Sequence, residues 1–505
     1  MKPFLSKSIW PTILFLIAAS VPRVVATKAC CQILSQSFNL KVSFPNTAEY
    51  NATSSSYWSA REQSIYPSCY FHPLSAQDVS NALGVLISKQ CKFAVRGGGH
   101  GPLGGLANTL NAVTIDMRGI DSIRPFANNT LVAVGSGQTI GNLYAALAPL
   151  GITVSGGRSY DVGVGGSTLG DGWGWMSNEV GFSCDNVVQY EVVLADGKIV
   201  TATNATNPDL FRALKGSGSN LGIVTEFVYR TLPMSKIWTA EIVWSFAELG
   251  VQHLLSAAYN FARNPFQDRK ASLLYSFSYN PLYGVSYLTQ CVYTAPVPVV
   301  PPAFVELVSL PGQMLQSNIS VTTLPEFSLK FNSETPNNLQ QISFALTMEN
   351  DLETLTEFHS LWNTSIATVS EVEDLSWTLD FQPLTSLMTN ASEARGGNLL
   401  GIGPAPPQGL LVAIMTASFT QAHDYELVSR AADDLLEKCI AAAKAHNVYR
   451  PWVDMNHASW KQDPIASYGH ENKAYLLTVA DQYDTGAVFQ TLMPGGFKLN
   501  GGFHM

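Results

Sequence analysis

Two glycine-rich stretches constrain this chain more than any other feature. The first reads Val95-Arg96-Gly97-Gly98-Gly99-His100-Gly101 and follows a short apolar run. The second runs from Val162 through Gly163, Gly165, Gly166, Gly170 and Gly172 to Gly174. Glycine lets a ligand approach the main chain closely, and successive bare N–H groups form an anion-binding concavity. Arg96 adds a planar fork of donors suited to phosphate. Together the stretches predict a dinucleotide site, with backbone approach along a pyrophosphate and a slot for a flat ring system. The pattern is not that of a nicotinamide Rossmann unit. Gly163-x-Gly165 lacks the third glycine, because Thr168 stands there. Gly99-x-Gly101-x-x-Gly104 matches formally, without a convincing βαβ context or an acidic residue after a second strand.

At 505 residues, 46% hydrophobic and 13% charged, the chain can bury a large core and is expected to hold two or more domains. Its net charge of −9 argues against nucleic acid or an anionic membrane as partner. Lys2 and Lys7 precede an apolar run, and Val24-Val25-Ala26 resembles a cleavage site, so residues 1–26 read as a secretory signal. Cleavage after Ser20 or Ala29 is an alternative. A membrane anchor is disfavoured, because Pro11 and Pro22 leave the run short of the ~20 residues that a span needs. Glycosylation sequons start at Asn51, Asn128, Asn204, Asn318, Asn363 and Asn390, which fits a secreted protein. Of seven cysteines, Cys30, Cys31, Cys69 and Cys91 crowd together. Two bridges are expected to tie Cys30 and Cys31 to Cys69 and Cys91, with the pairing open. Cys184, Cys291 and Cys439 read as buried thiols, and no zinc-type spacing exists.

Ser75 is an N-cap for a helix with Val79, Ala82, Leu83 and Leu86 on one face. Residues 113–116 and 131–134 read as strands, and 139–150 as a helix closed by Gly151. Residues 187–194 form a strand that enters a hairpin turn at Asp196-Gly197. Asn207 is expected to cap a helix with Pro208 in its first turn, and residues 223–232 form the next strand. From Ile237 the texture changes to strands near Ile242, at 273–279, 285–293 and 410–419, alternating with helices. The strongest of these helices spans 424–446, and 296–302 is a proline-rich connector. Aromatic and glycine-rich character returns over the last ~55 residues.

These motifs, with Cys184-Asp185-Asn186-Val187, Asn207-Pro208-Asp209-Leu210, Ala213-Leu214-Lys215-Gly216 and Gly222-Ile223-Val224-Thr225, resemble the berberine-bridge-enzyme-like flavin oxidases. These belong to the vanillyl-alcohol-oxidase and p-cresol-methylhydroxylase superfamily. Gln462-Asp463-Pro464-Ile465, Tyr483-Asp484, Val488-Phe489-Gln490 and Pro494-Gly495-Gly496 fit its fungal branch. The resemblance implies an α+β fold. Residues 27–235 would be a PCMH-type FAD-binding domain of two α+β subdomains. Residues 236–448 would be an inserted substrate domain built on a large antiparallel sheet, and residues 449–505 would complete the FAD-binding domain. It implies cofactor contacts from Arg96, Gly97, Gly98, Gly99, Gly101, Val162, Gly163, Gly165, Gly166, Gly170, Gly172, Ile223, Val224 and Asn456.

The resemblance also assigns roles. His100 matches the histidine that bonds covalently to the flavin. Ser159 stands where some members carry a second attaching cysteine, so one covalent bond is expected. Val162 matches a small residue that accompanies reaction with oxygen. Asn456 matches the asparagine of a Tyr-x-Asn-Tyr motif, in which Asp454 and His457 replace the tyrosines. Asp171 replaces a glycine. An imidazole, of ordinary pKa ~6.5, can hold or accept a proton near neutrality. If Asp454 and His457 face the same side, the carboxylate orients the imidazole; if residues 454–457 form a strand, the two point to opposite faces, so His457 alone is favoured, as the general base or as a hydrogen-bond partner of the substrate hydroxyl. Tyr57, Trp58, Trp173 and Trp175 read as core. The implied activity is an FAD-dependent oxidase. It would move a hydride from a small hydroxylated or cyclising natural product to covalent FAD and reduce O2 to H2O2, in secondary metabolism. Two alternatives are a secreted carbohydrate oxidase of the same fold and a flavin-bound secreted protein without activity.

Overall fold

The computed structural model describes residues 23–263 and 268–504. Most of the expected signal segment lies outside the described residues. The helix Arg23–Ser37 carries Cys30 and Cys31. Disulfides join Cys30 to Cys91 and Cys31 to Cys69. These bridges staple that helix to the first sheet, whose strands run Val42–Ser43, Cys69–Phe71, Val113–Asp116, Phe93–Arg96 in spatial order. The last three strands are parallel. Helix Ala76–Ser88 covers them, with Ser75 Oγ accepting the Asp78 N–H at 3.2 Å and the expected four apolar residues buried. Strand Phe93–Arg96 feeds the first glycine loop.

The second sheet is antiparallel, in the order Ile123–Phe126, Leu131–Gly135, Ile223–Arg230, Val187–Val193, Ile199–Ala202. Gly197, at φ +80°, turns the hairpin between the last two strands. The helix Pro208–Ala213 forms, but not through the expected cap. Asn207 itself lies at φ +48°, and its Nδ2 donates to the Thr201 carbonyl at 2.8 Å.

Eight antiparallel strands build the third sheet, in the order Gln313–Thr322, Ile237–Ser245, Gly284–Tyr293, Ala271–Asn280, Ser376–Leu384, Leu410–Phe419, Gln340–Glu349, Tyr449–Arg450. Strand alternation gives it two different faces. Trp377, Leu379, Phe381, Phe344, Leu346 and Met415 pack on the far side with residues of helices Glu248–Arg263, Leu352–Val369 and Tyr425–Ala445. On the near side, Leu274, Val292, Val412 and Ile414 share a core with Trp173, Trp175 and Phe182 of the second glycine stretch and its continuation. The chain end returns to the first sheet. The Phe93 N–H donates to Leu492 O at 2.8 Å, and Asp484 accepts the N–H groups of Val488 and Phe489 at 2.7 and 2.8 Å. Among the described residues no helix is long and apolar enough to cross a membrane. Cys184, Cys291 and Cys439 are buried thiols.

Removing the Cys31–Cys69 bridge in a Cys31→Ser/Cys69→Ser variant should lower the unfolding free energy by about 2–5 kcal/mol. Urea titration followed by tryptophan fluorescence measures this. An unchanged midpoint would show that the staple contributes nothing.

Candidate active site

The two glycine stretches meet backbone against backbone. A Cβ on Gly98 would lie 2.5 Å from Gly163 N, and one on Gly163 would lie 2.2 Å from Gly98 N. Gly99 takes φ +77°, and a side chain there would strike the Arg96 and Tyr57 side chains. Gly165 closes on Ser136 O, Gly101 on Leu106, Gly170 on Asn456 and Gly172 on Ser183. These four glycines therefore serve close packing. Beside Gly166 the space is open to 4 Å, and Gly97 faces Ser136 O and Gly166 N at 3.6 and 3.7 Å.

Arg96 corrects an expectation. It is fully buried, and it donates to Thr53 O at 2.8 Å, to Ser56 O at 2.9 Å and to Ser56 Oγ at 2.9 Å. Its guanidinium lies 3.7 Å from the centroid of the Tyr57 ring. The fork that would grip a phosphate instead ties the first glycine loop to the segment before it.

His100 stacks on Trp58, with centroids 4.4 Å apart and planes within 9°. Its Nε2 is shut off from solvent and finds no partner among the described residues. Burial holds the imidazole down at about 4, so the ring is neutral at physiological pH. Trp58, read from sequence as core, is the platform of this histidine, and its Nε1 donates to Thr335 O at 3.0 Å. Trp173 and Trp175 are buried as expected. Arg158 lies across them, 5.7 and 4.8 Å from the two rings.

Residues 455–457 form a turn rather than a strand, so of the two arrangements open to Asp454 and His457 the same-side one forms. His457 Nδ1 and Asp454 Oδ2 are 2.8 Å apart. Asp454 is fully buried, whereas the His457 side chain is 37% exposed, so the pair has one anchored member and one that can reach a substrate. The neighbouring Asn456 sets this turn against the second glycine stretch, abutting Gly170 and Ser167 O. Asn456 faces inward, its Nδ2 donating to Asp171 Oδ1 at 2.7 Å and Ser167 O at 3.1 Å.

Ser159 Oγ donates to Asn332 Oδ1 at 2.6 Å, and Asn332 Nδ2 donates to Asp161 Oδ2 at 2.8 Å. Asn332 therefore clamps the segment just before Val162, which packs half-buried against the main core. Ile223 and Val224 are buried in two different apolar clusters. Sequence reading missed Asn332, Arg158, Asp380 and the part played by Asp171. Asp380 lies on the near face of the large sheet, where burial raises its carboxyl pKa and the charges of His457 and Arg158 act on it. The alternation Trp377, Leu379, Phe381 signals that strand and its outward polar partners.

The residues present fit a flavin dinucleotide. Bare backbone lines the space at Gly97 and Gly166, and His100 Nε2 and Ser136 Oγ are buried there without protein partners. A family profile described as an FAD binding domain matches residues 67–203. The chain is 33% identical over 470 residues to an FAD-dependent monooxygenase of Cochliobolus heterostrophus, covering 90% of this chain and 89% of that relative. Among solved structures it is similar to the xylooligosaccharide oxidase from Myceliophthora thermophila C1. That match has a TM-score of 0.75 at 19% identity over 92% of this chain and 98% of the other. The wild-type BBE-like 1 protein of Physcomitrella patens gives 0.73 at 19% identity over the same shares, 92% and 98%. With its glycine cradle and its fungal relatives, the chain belongs to the family of fungal FAD-dependent oxidoreductases represented by that monooxygenase, and its fold is the one shared by the berberine-bridge-enzyme-like proteins.

Proposed function

We propose that this FAD-linked oxidoreductase is an oxidase of fungal secondary metabolism, carrying FAD covalently on His100 and oxidising a small hydroxylated or cyclising natural product. O2 would be the final acceptor, giving H2O2. The observation that carries this reading is the His457–Asp454 pair beside the flavin cradle. Bound flavin supplies a two-electron acceptor for hydride. Asp454 holds the Nδ1–H of His457, which fixes the tautomer whose Nε2 lone pair can take a proton. As a substrate C–H bond gives up its hydride, Nε2 accepts the proton of the adjoining hydroxyl, and Asp454 balances the imidazolium that forms. His100, kept neutral by burial, retains a lone pair for bonding to a flavin methyl group. Ser159, engaged by Asn332, supports a single attachment.

Two disulfides and six sequons at exposed or half-buried positions support passage through the secretory pathway, with residues 1–26 as its signal. Seven of the eight strands of the large sheet fall between residues 237 and 419, which supports a substrate domain over 236–448 between the two parts of the FAD-binding domain, with Tyr449–Arg450 of the following segment adding the edge strand.

A second reading, a carbohydrate oxidase, is favoured by one feature. Ser278, Thr378, Thr416 and Ser343 stand opposite one another on four adjacent strands. This hydroxyl row suits a substrate rich in hydroxyl groups. Peroxide release from a panel of oligosaccharides, alcohols and phenols separates the readings.

The purified protein should be yellow and keep its flavin on acid precipitation, whereas His100→Ala should release it. Flavin in the supernatant of the unmodified protein would disprove covalent attachment. In His457→Ala, flavin reduction by the true substrate should slow by roughly 10²–10⁴-fold with flavin content unchanged. The pH profile of reduction should also differ between the variant and the unmodified protein. Stopped-flow absorbance measures both, and an unaltered rate and pH profile in the variant would remove His457 as the base.

A further inference from the structure

Asp171 follows the short helix Val164–Gly170 and is 1% exposed, and Asn456 bridges it to the buried Asp454, donating its Nδ2–H to Asp171 Oδ1 at 2.7 Å and its backbone N–H to Asp454 Oδ1 at 2.8 Å, so the two carboxyl groups lie side by side. Two carboxylates in contact in the protein interior cannot both be ionised. The donors around them decide which keeps the proton. Asp454 takes the His457 Nδ1–H at Oδ2 and the Asn456 backbone N–H at Oδ1, each at 2.8 Å. Asp171 Oδ1 takes the Gly172 N–H and the Asn456 Nδ2–H, but Oδ2 is buried and finds no donor among the described residues. A proton on Asp171 Oδ2 gives that atom a bond to make and leaves the charge on Asp454, beside His457.

The wider surroundings agree. The charged or titratable groups facing Asp171 are Asp454, Arg158, Cys184 and Tyr468, with His457 and Asp380 one step further out. Among the described residues, Arg158 is a cation on which Asp171 acts. Burial lowers its pKa to about 10, and Asp454, Asp380 and Asp171 all draw on it. A second full negative charge would have no counter-ion of its own. Burial first, and then the charge of Asp454, push the Asp171 carboxyl well above the usual range, whereas His457 and Asp171 hold Asp454 below it.

We propose that Asp171 is a buried, protonated carboxylic acid that donates a hydrogen bond to Asp454 and so sets the proton affinity of His457. It is a positioning residue, acting on the base through Asp454. The donated bond draws negative charge away from Asp454, and His457 gives up its proton more readily than it would beside an unshared carboxylate. The consequence for catalysis rests on His457 being the base, but the link between the three side chains does not.

The test uses the flavin-loaded protein labelled with 13C at histidine Cε1, with the His457 signal assigned by its loss in His457→Ala. In Asp171→Ala the unshared Asp454 should raise the His457 titration midpoint by about one pH unit. Asp171→Asn retains a donor to Asp454 and should leave the midpoint unchanged. A downward shift in the alanine variant would mean that Asp171 is ionised, and no shift would mean that it is uncoupled; either overturns the proposal. If the alanine variant does not fold, the infrared difference spectrum between unmodified protein and Asp171→Asn at neutral pH decides. The carbonyl stretch of a protonated carboxylic acid must vanish in the variant, and its absence from the unmodified protein overturns the proposal. A normal reduction rate in His457→Ala together with that infrared band would sink the base assignment alone. A slowed rate without the band would sink the Asp171 proposal alone.

Discussion

The contact between Gly98 and Gly163 fixes the rest of the structure. Two loops from different parts of the chain approach until no side-chain carbon fits between them. That approach sets the separation between the first sheet, which delivers His100, and the second glycine stretch, which delivers Val162 and Asp171. Backbone atoms on both sides leave no flexible group that could yield to an added carbon. The supports are arranged accordingly. Arg96 braces one loop from beneath with backbone carbonyls of the preceding segment, and Asn332 braces the other from the large sheet's side. The disulfide from Cys30 enters the chain at Cys91, two residues before the strand that ends in the first loop.

Charge is buried here in two ways. Arg96 gives its two terminal nitrogens to carbonyl oxygens and the Ser56 hydroxyl and lays its plane on an aromatic face, and it serves architecture. The cluster of Arg158, Asp171, Asp454, Asp380 and His457 is balanced only if protons are shared, and such clusters occur where proton affinities are tuned. Where the resembled motif carries two phenols, this chain carries a buried carboxylate hydrogen-bonded to an imidazole.

Local signals carried much of the fold. The Ser75 cap, the Asp196-Gly197 turn and the apolar runs at 187–194 and 410–419 were legible because each involves neighbours in sequence. Half of the large sheet was harder to see. Strand Gln313–Thr322 is an exposed edge with almost no alternating burial, and Gln340–Glu349 mixes glutamine, serine and threonine with its apolar residues. The candidate site shows the same limit. His100 and the glycines announce themselves, but whether Asp454 reaches His457 depends on a turn that periodicity cannot resolve. Arg96 was misread because a buried guanidinium and a phosphate-binding one look identical in sequence. Asn332 becomes visible only when Asp161, 171 positions away in sequence, is brought beside it, and Asp380 only when Arg158 and His457 from distant segments are.

The Asn332 clamp has a consequence for how such an enzyme can change. Helix Leu324–Ser333 holds Ser159 and Asp161 through Asn332, and through Lys330 it pairs with Glu241 on the substrate-side sheet. One short helix is thus bolted both to the cofactor loop and to the wall that a substrate would touch. On the proposed reading, in which the large sheet faces substrate and Val162 faces the flavin, a substitution that reshapes the wall near Glu241 is felt through this helix at Val162. Selectivity and redox reactivity would then be linked traits, and a lineage exploring new substrates through this helix would change both along the same mutational steps.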